Sequence, residues 1–346
     1  MKNKKKEKFI EVSKKILKII GYTLGVILTI VLLFFIYINL PVAASKNDAQ
    51  IGVTFSSRYA EDIGLDWKQA YIAMLDDLKV RYIRIPVYWD LVEKSDGNYD
   101  FSDIDWQLDQ ASQRGAHVIL VVGQKVPRWP ECFIPQWVGN DVNVKKEKLL
   151  AFESVVINRY KDNHPEIADW QVENEPFLDF GICPNPDASL LDSEIAKVKS
   201  IDSSHPIVVT DSGELSLWVK AASRADIFGT TMYRDVYSAR FGHLIYPIGP
   251  NFFKAKMLLI KLFAHQSNDI VIELQGEPWV QGWTTSAPIS DQLASMNAEK
   301  LTDNVEFAKK TGMKEIYVWG VEWWYWMKTT QNNSTLWDAA KMFIQK

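Results

Sequence analysis

Two glutamates stand at the ends of short apolar segments in this 346-residue chain. Glu175 belongs to the triplet Asn174-Glu175-Pro176, which follows the run 167–172, and Glu273 closes the run 269–273. Cleavage of a glycoside needs two carboxyl groups, one to protonate the departing oxygen and one to attack or stabilise the anomeric carbon. One such glutamate alone is weak evidence. The interpretation therefore depends on whether the fold brings the pair together.

Short apolar runs alternate with segments of helical periodicity after residue 50. Eight runs predict strands, at residues 51–55, 82–87, 117–122, 167–172, 206–210, 227–233, 269–273 and 315–319. Helices are predicted after them, at residues 67–80, 101–114, 144–162, 188–201, 215–225, 252–265, 291–311 and 337–345. Such alternation indicates a parallel sheet covered by helices. Eight units without a glycine-rich dinucleotide turn predict an α/β fold, a single (β/α)8 TIM barrel.

Active sites of such barrels lie at the C-terminal ends of the strands. The predicted strands four and seven face each other across the mouth, so Glu175 and Glu273 would meet over one sugar ring. Arg84 lies on the second strand, while Tyr233 and Trp319 end the sixth and eighth. We therefore expect a glycosidase site with Glu175 and Glu273 as its catalytic residues.

The pairing of Asn174-Glu175-Pro176 with Ile272-Glu273 resembles glycoside hydrolase clan A, which includes cellulase-like, β-galactosidase-like and β-mannanase-like families. The resemblance runs from about residue 51 to residue 326. It implies a retaining hydrolase that cleaves β-linked O-glycosidic bonds of an oligo- or polysaccharide. Glu175 would be the acid/base and Glu273 the nucleophile.

The same resemblance implies substrate-binding and supporting residues. Asn174 would hold the 2-hydroxyl of the sugar, and Trp319 would lie under the ring. Arg84 and Tyr233 would support Glu273 as an anion. A neighbouring cation and phenol favour an ionised carboxylate, whereas burial and a nearby negative charge would keep Glu175 protonated.

Two features depart from the pattern of the clan. Ile272 stands where many members have threonine before the nucleophile, and the loop after strand three carries no histidine signature. Glu277 competes with Glu273 for the nucleophile's role; we assign Glu273, which ends the strand, and expect Glu277 to contact a substrate hydroxyl. Strand alternation should turn Glu173 away from Asn174.

Fourteen tryptophans are a marked excess for this length. Seven follow predicted strand ends on the catalytic side: Trp89, Trp129, Trp137, Trp279, Trp283, Trp323 and Trp324. The apolar faces of sugars stack on indole rings, although core packing is the alternative for each one. We expect Trp129, Trp279 and Trp323 to bind substrate.

The first forty residues differ from the rest of the chain. Residues 1–18 are rich in lysine, and residues 19–40 are apolar and uncharged, which is long enough for a transmembrane signal-anchor helix. Lysines before the span predict a cytoplasmic N-terminus, with a linker at 41–50 and a catalytic domain at 51–346 on the extracytoplasmic side. Cleavage after the small residues Val42-Ala43-Ala44 remains an alternative.

The composition of the chain bears on whether it binds nucleic acid, a metal or a cofactor. A net charge of −4 gives no reason to expect nucleic acid, and five scattered histidines form no ligand cluster, so we predict no metal and no cofactor. Cys132 and Cys183 follow strands three and four, where a disulfide could join the neighbouring loops. A transglycosylase and a catalytically silent carbohydrate-binding barrel are the alternative functions.

Overall fold

The computed structural model describes residues 2–43, 49–238 and 240–345. Eight parallel strands, β1 to β8, close into a barrel: Gln50–Thr54, Tyr82–Pro86, His117–Val122, Ile167–Val172, Ile207–Asp211, Ile227–Met232, Asp269–Gln275 and Glu315–Trp319. Each strand pairs with its neighbours in chain order, and β1 pairs with β8 to complete the ring. All eight predicted strands and the predicted TIM barrel are confirmed.

Helices cover the outside of the barrel. Those following the successive strands are Trp67–Asp76, Ser102–Ser112, Val142–Tyr160, Ala188–Ile201, Val219–Ala222, Pro250–Phe263, Ala298–Lys309 and Thr335–Ile344. Shorter helices at Ser57–Asp62, Trp89–Val92, Ile289–Ser295 and Val321–Thr329, and 3-10 turns at Gln136–Val138 and Thr284–Ser286, belong to the connections. Small antiparallel hairpins pair Glu93–Ser95 with Asn98–Tyr99, and Asp235–Ser238 with Gly242–Ile245. We call the second of these the rim hairpin.

Two predicted helices are wrong in extent. The helix predicted at 215–225 covers only Val219–Ala222, because Trp218 just before it has a φ of 68°, outside the helical region. The helix predicted at 291–311 is interrupted between Ser295 and Ala298. There the side chain of Asn297 accepts a hydrogen bond from the backbone N–H of Lys300, which starts a new helix.

A register shift in β7 decides where Glu273 points. Ile270 and Ile272 pack in the barrel interior, whereas Val271 and Leu274 pack with the larger core between strands and helices. Strict alternation would turn Glu273 outward after Ile272. The pairing with β6 instead shifts by one residue between Val271 and Glu273, and such a bulge re-aims the side chain towards the mouth.

The N-terminal helix, Lys2–Ile38, precedes the barrel. Within the described residues, its segment Phe9–Ile38 is the one helix long and apolar enough to cross a membrane, and its large apolar side chains are exposed except for Ile38 at its end. Residues 44–48, which include part of the predicted linker and of the alternative cleavage site, lie outside the described residues. The predicted disulfide between Cys132 and Cys183 is present and joins the loops after β3 and β4.

Candidate active site

A cavity of about 790 Å³ opens at the C-terminal ends of the barrel strands. Its size falls within the range typical of small-molecule sites. Glu175 and Glu273 both line it, as do Tyr233, Glu277 and Trp319. The structure therefore brings the two glutamates to one mouth, as the strand order predicts.

Glu273 is buried and held by two neighbours. Arg84, which is fully buried on β2, donates from Nη1 to Oε2 of Glu273 at 3.0 Å. Tyr233 donates its hydroxyl to Oε1 at 2.5 Å. Burial, followed by the negative charge of Glu273, raises the pKa of Tyr233 well above its usual value, so the phenol stays a donor. The two carboxyl oxygens of Glu273 thus have a guanidinium and a phenol as their partners.

Glu175 occupies a different environment. Its backbone N–H donates to Oγ1 of Thr210 at 2.8 Å, and its Oε1 accepts from the hydroxyl of Thr231 at 3.1 Å. Burial first, and then the charge of Glu273, raises the pKa of Glu175 well above its usual value. Its φ of 45° is unusual for a non-glycine residue, and such strained conformations cluster at functional sites. Burial and the charge of Glu273 therefore favour the protonated form of Glu175.

Asn174 links the glutamates to a third carboxyl group. Its Oδ1 accepts from Nη2 of Arg84 at 2.6 Å, and its Nδ2 donates to Oε2 of Glu131 at 3.1 Å. Burial, and then the charge of Glu273, raises the pKa of Glu131 to about 8. Sequence reasoning missed Glu131. It lies in the irregular loop after β3, which is folded back by the pairing of Lys125 with Cys132, and no pattern of spacing marks such a loop.

Glu277 lies on the loop after β7, as predicted. It accepts from Nε1 of Trp319 at 2.7 Å and from Nη1 of Arg128 at 2.5 Å. The guanidinium of Arg128 stacks 3.9 Å from the ring centre of Trp319 and also donates to Glu322 at 2.7 Å. No group of the described residues pairs with the other oxygen of Glu277, Oε2, although it is buried. That oxygen is free to accept from a ligand at the cavity.

The tryptophans divide between cavity and core. Trp129, Trp279 and Trp283 line the cavity, and Trp129 is 55% exposed. Trp323 does not: it is fully buried, and its Nε1 donates to Gln292 at 2.8 Å. The prediction that Trp323 binds substrate is wrong because the helix Val321–Thr329 turns this ring into the core. The other tryptophans assigned to the rim, Trp89, Trp137 and Trp324, make indole hydrogen bonds to Glu93, the Glu93 carbonyl and the Gly276 carbonyl, respectively.

Glu173 points away from the cavity and from Asn174, as predicted, but strand alternation is not the cause: β4 ends at Val172, and Glu173 has a φ of 60°. Its carboxylate accepts from the backbone N–H groups of Gln124 and Lys125 at 2.9 and 2.7 Å. Burial raises the pKa values of Glu173 and of its buried neighbours Glu153 and Glu194. Over the described part of the chain, no group of three or more histidine, cysteine or acidic side chains has a geometry that could hold a metal ion.

No sequence profile of a known protein family matches the chain. Several solved structures share its fold. The β-galactosidase of the Antarctic haloarchaeon Halorubrum lacusprofundi has a TM-score of 0.58 and 13% identity over 86% of this chain and 57% of its own. A family 5, subfamily 18 glycoside hydrolase of Bifidobacterium longum subsp. infantis has a TM-score of 0.56 and 15% identity, over 79% of this chain and 69% of its own.

A family 5 mannosidase of Rhizomucor miehei is similar at a TM-score of 0.51 and 14% identity, over 78% of this chain and 80% of its own. The chain spans little more than half the length of the bacterial and archaeal β-galactosidases it matches, 57% for the haloarchaeal enzyme and 53% for that of Marinomonas ef1. The resemblance to the barrels of glycoside hydrolase clan A is confirmed at the level of fold. Activity has to be argued from the site itself.

Proposed function

We propose that this chain is a retaining glycoside hydrolase that cleaves β-linked saccharides, with Glu175 as acid/base and Glu273 as nucleophile. One observation carries the proposal. Glu175, just after β4, and Glu273, on β7, line the same cavity, and only Glu273 is bound by a guanidinium and a phenol. Two carboxyl groups in opposite protonation states are what glycoside cleavage with retention requires.

The first step forms a glycosyl-enzyme. A carboxylate oxygen of Glu273 attacks the anomeric carbon while Glu175 gives its proton to the glycosidic oxygen, and the C–O bond to the leaving group breaks. Arg84 and Tyr233 hold Glu273 in place, so little reorganisation is needed as its charge is consumed. Asn174, fixed between Arg84 and Glu131, is placed to bind a hydroxyl of the sugar.

The second step returns the enzyme to its starting state. Glu175, now an anion, takes a proton from water, and the resulting hydroxide-like oxygen displaces Glu273 from the anomeric carbon. The two displacements restore the original configuration. A bound sugar hydroxyl in place of water would give transglycosylation by the same residues.

The lining of the cavity favours a neutral saccharide. Six carboxyl groups and one guanidinium line the cavity, those of Asp62, Glu131, Glu175, Glu214, Glu273, Glu277 and Arg128. Arg128 is already paired with Glu277 and Glu322, so it offers no free charge to a uronic acid or a sulfated sugar. Trp129, Trp279 and Trp283 supply aromatic faces for the apolar side of the ring.

The N-terminal helix anchors this barrel to a membrane in our proposal. Phe9–Ile38 has the length and hydropathy of a membrane span, and lysines precede it. The lysines favour a cytoplasmic N-terminus, which leaves the barrel on the extracytoplasmic side. The disulfide between Cys132 and Cys183 supports that side, because disulfides persist in oxidising compartments.

A panel of neutral aryl β-glycosides tests the proposal. We expect the wild-type protein to hydrolyse at least one of them and NMR to show the β-anomer as the first product. Glu175→Gln should lose activity most strongly on substrates with poor leaving groups, because these depend on the proton. An α-anomer as first product would contradict retention. Binding without turnover by wild type and variant alike would instead establish a silent carbohydrate-binding barrel.

Glu131→Gln is expected to move the alkaline limb of the kcat/KM profile to lower pH. The pKa of Glu131 is about 8, so its carboxyl becomes an anion only near and above that pH, and this charge raises the pKa of Glu175. Glutamine removes the charge, and Glu175 then loses its proton at lower pH. Glu214→Gln is the matched control, because the pKa of Glu214 is also raised to about 8 by burial, but Glu214 is not among the charges that act on Glu175.

The same substitution should change the pH dependence of stability. The folded chain holds the Glu131 proton more tightly than the unfolded chain does, because the pKa of Glu131 rises from its ordinary value of 4.5 to about 8 on folding. Stability contributed by this group is therefore lost as pH rises from 4.5 to about 8. Thermal unfolding of Glu131→Gln should show a smaller decline of stability over this pH range than the wild type, because only the contribution of Glu131 is removed. An unchanged alkaline limb together with an unchanged decline would contradict the ionisation of Glu131 in this range.

A further inference from the structure

The end of the N-terminal helix is bound to the barrel at its catalytic rim. Asn39 donates from Nδ2 to the carbonyl of Pro247 at 3.2 Å, and Asn251 donates from Nδ2 to the carbonyls of Tyr37 and Leu40 at 3.1 and 3.3 Å. Ile38 is buried in this junction. The contacts fix the helix to the segment that joins the rim hairpin to the helix Pro250–Phe263.

An exposed apolar surface begins at this junction. Asn251, Leu258 and Leu262 are separated by seven and four residues, so they share one face of the helix Pro250–Phe263. Leu258 and Leu262 are 56% and 61% exposed. On the rim hairpin, Phe241 and Ile245 are 70% and 62% exposed. We call the exposed side chains of the rim hairpin and of this helix the hairpin–helix surface.

The positive charge of residues 236–268 is complementary to a bilayer surface with anionic lipids. Residues 236–268 contain no aspartate or glutamate, although the chain has 43 acidic residues, and they include Arg240, Lys254 and Lys261. Apolar side chains among basic ones, without acidic residues, are typical of proteins that lie in the headgroup region of a bilayer. Eight of the sixteen exposed large hydrophobic residues described after residue 40 fall between Leu215 and Phe263.

The same hairpin also forms a wall of the cavity. Val236, Tyr237 and Leu244 line it, together with Tyr246 just beyond the hairpin. Leu244 is in addition 41% exposed, so one side chain belongs to the cavity and to the outer surface. A bilayer that touches the hairpin would therefore lie at the edge of the cavity that holds Glu175 and Glu273.

We propose that the hairpin–helix surface rests in the headgroup layer of the membrane that holds the N-terminal helix, and that the cavity receives the sugar headgroup of a glycolipid. The substrate class rests on the proposed glycosidase function; the seating on the membrane does not. The junction at Pro247 and Asn251 sets the side of the barrel that faces the bilayer. Phe241 and Leu262 enter the lipid, and the sugar of a neighbouring glycolipid reaches the cavity without leaving the membrane.

Lipid quenching tests the seating. The full chain, reconstituted in vesicles of equal parts phosphatidylcholine and phosphatidylglycerol, carries one added cysteine with a fluorescent label, since Cys132 and Cys183 are already joined. Labels at Phe241 and Leu262 should be quenched by lipids brominated near the headgroup. The control is a label at Val142, which is 76% exposed on the helix after β3. This label should not be quenched. Equal quenching at all three positions, or none at Phe241 and Leu262, would overturn the seating.

Turnover tests the substrate class. In the same vesicles, the double variant Phe241→Ser/Leu262→Ser should hydrolyse embedded β-glycosyl diacylglycerols at least about tenfold more slowly, because it loses two large apolar contacts with lipid. Neither residue lines the cavity, so hydrolysis of soluble aryl β-glycosides should be unchanged. Equal loss on both substrates, or on neither, would overturn the glycolipid assignment. If the wild-type protein hydrolyses neither substrate, the proposed function fails, while the quenching result still decides the seating.

Discussion

Glu273→Ala is expected to lower kcat/KM on the best aryl β-glycoside by at least about four orders of magnitude, because the covalent route is lost with the nucleophile. The variant should lose stability because Arg84 stays buried without its counter-charge, but Arg84 keeps its hydrogen bonds to Gln171 and Asn174, so we expect the barrel still to fold. The measurement is steady-state hydrolysis, with circular dichroism to verify that the barrel is intact.

Azide separates the roles of the two glutamates. In Glu273→Ala, azide can occupy the space of the missing carboxylate and attack the anomeric carbon directly, which gives an α-glycosyl azide. In Glu175→Ala, an activated substrate still forms the glycosyl-enzyme, and azide resolves it to a β-glycosyl azide. The two products follow from one and two displacements, respectively. NMR of the products therefore identifies each role.

Glu277→Ala is the control for the rival assignment. Glu277 is bound to Trp319 and Arg128 rather than to Arg84 and Tyr233, so its loss should weaken substrate binding and give no glycosyl azide. An α-glycosyl azide from Glu277→Ala and none from Glu273→Ala would transfer the nucleophile's role to Glu277.

The strands of this fold could be predicted from sequence because each is a short apolar run between polar segments. Their order then brings Glu175 and Glu273 to one mouth. The orientation of Glu273 could not be derived by alternation, because it depends on the register shift after Val271. A bulge is a property of the pairing between two strands, and no local residue pattern in β7 marks it.

Loop residues were harder to predict for a related reason. Glu131 reaches Asn174 only because the loop after β3 folds back on itself. Trp323 follows β8 in the chain just as Trp279 follows β7, yet one ring is buried and the other lines the cavity. Position after a strand end places a residue near the rim, whereas the direction of its side chain depends on the helix or turn that follows.

Arg84→Met is expected to damage both stability and catalysis. Arg84 is fully buried and donates to Glu273, Gln171 and Asn174. Methionine fills part of the space but leaves Glu273 without its counter-charge. Removing one partner of a buried ion pair costs about 3–5 kcal/mol of unfolding free energy. The loss of the cation also removes the donor that holds Oε2 of Glu273 in position, so kcat/KM should fall as well.

Arg84→Lys is the matched control, because it keeps the charge but cannot bind three acceptors in one plane. It should retain more of the wild-type kcat/KM than methionine does, with a smaller loss of stability. Combining Arg84→Met with Glu273→Gln completes a double-mutant cycle. If the ion pair causes the loss, methionine should cost less stability in the glutamine background than in the wild type. Equal losses in both backgrounds would mean that Arg84 stabilises the barrel mouth through Gln171 and Asn174 alone and that its ion pair with Glu273 contributes nothing to stability.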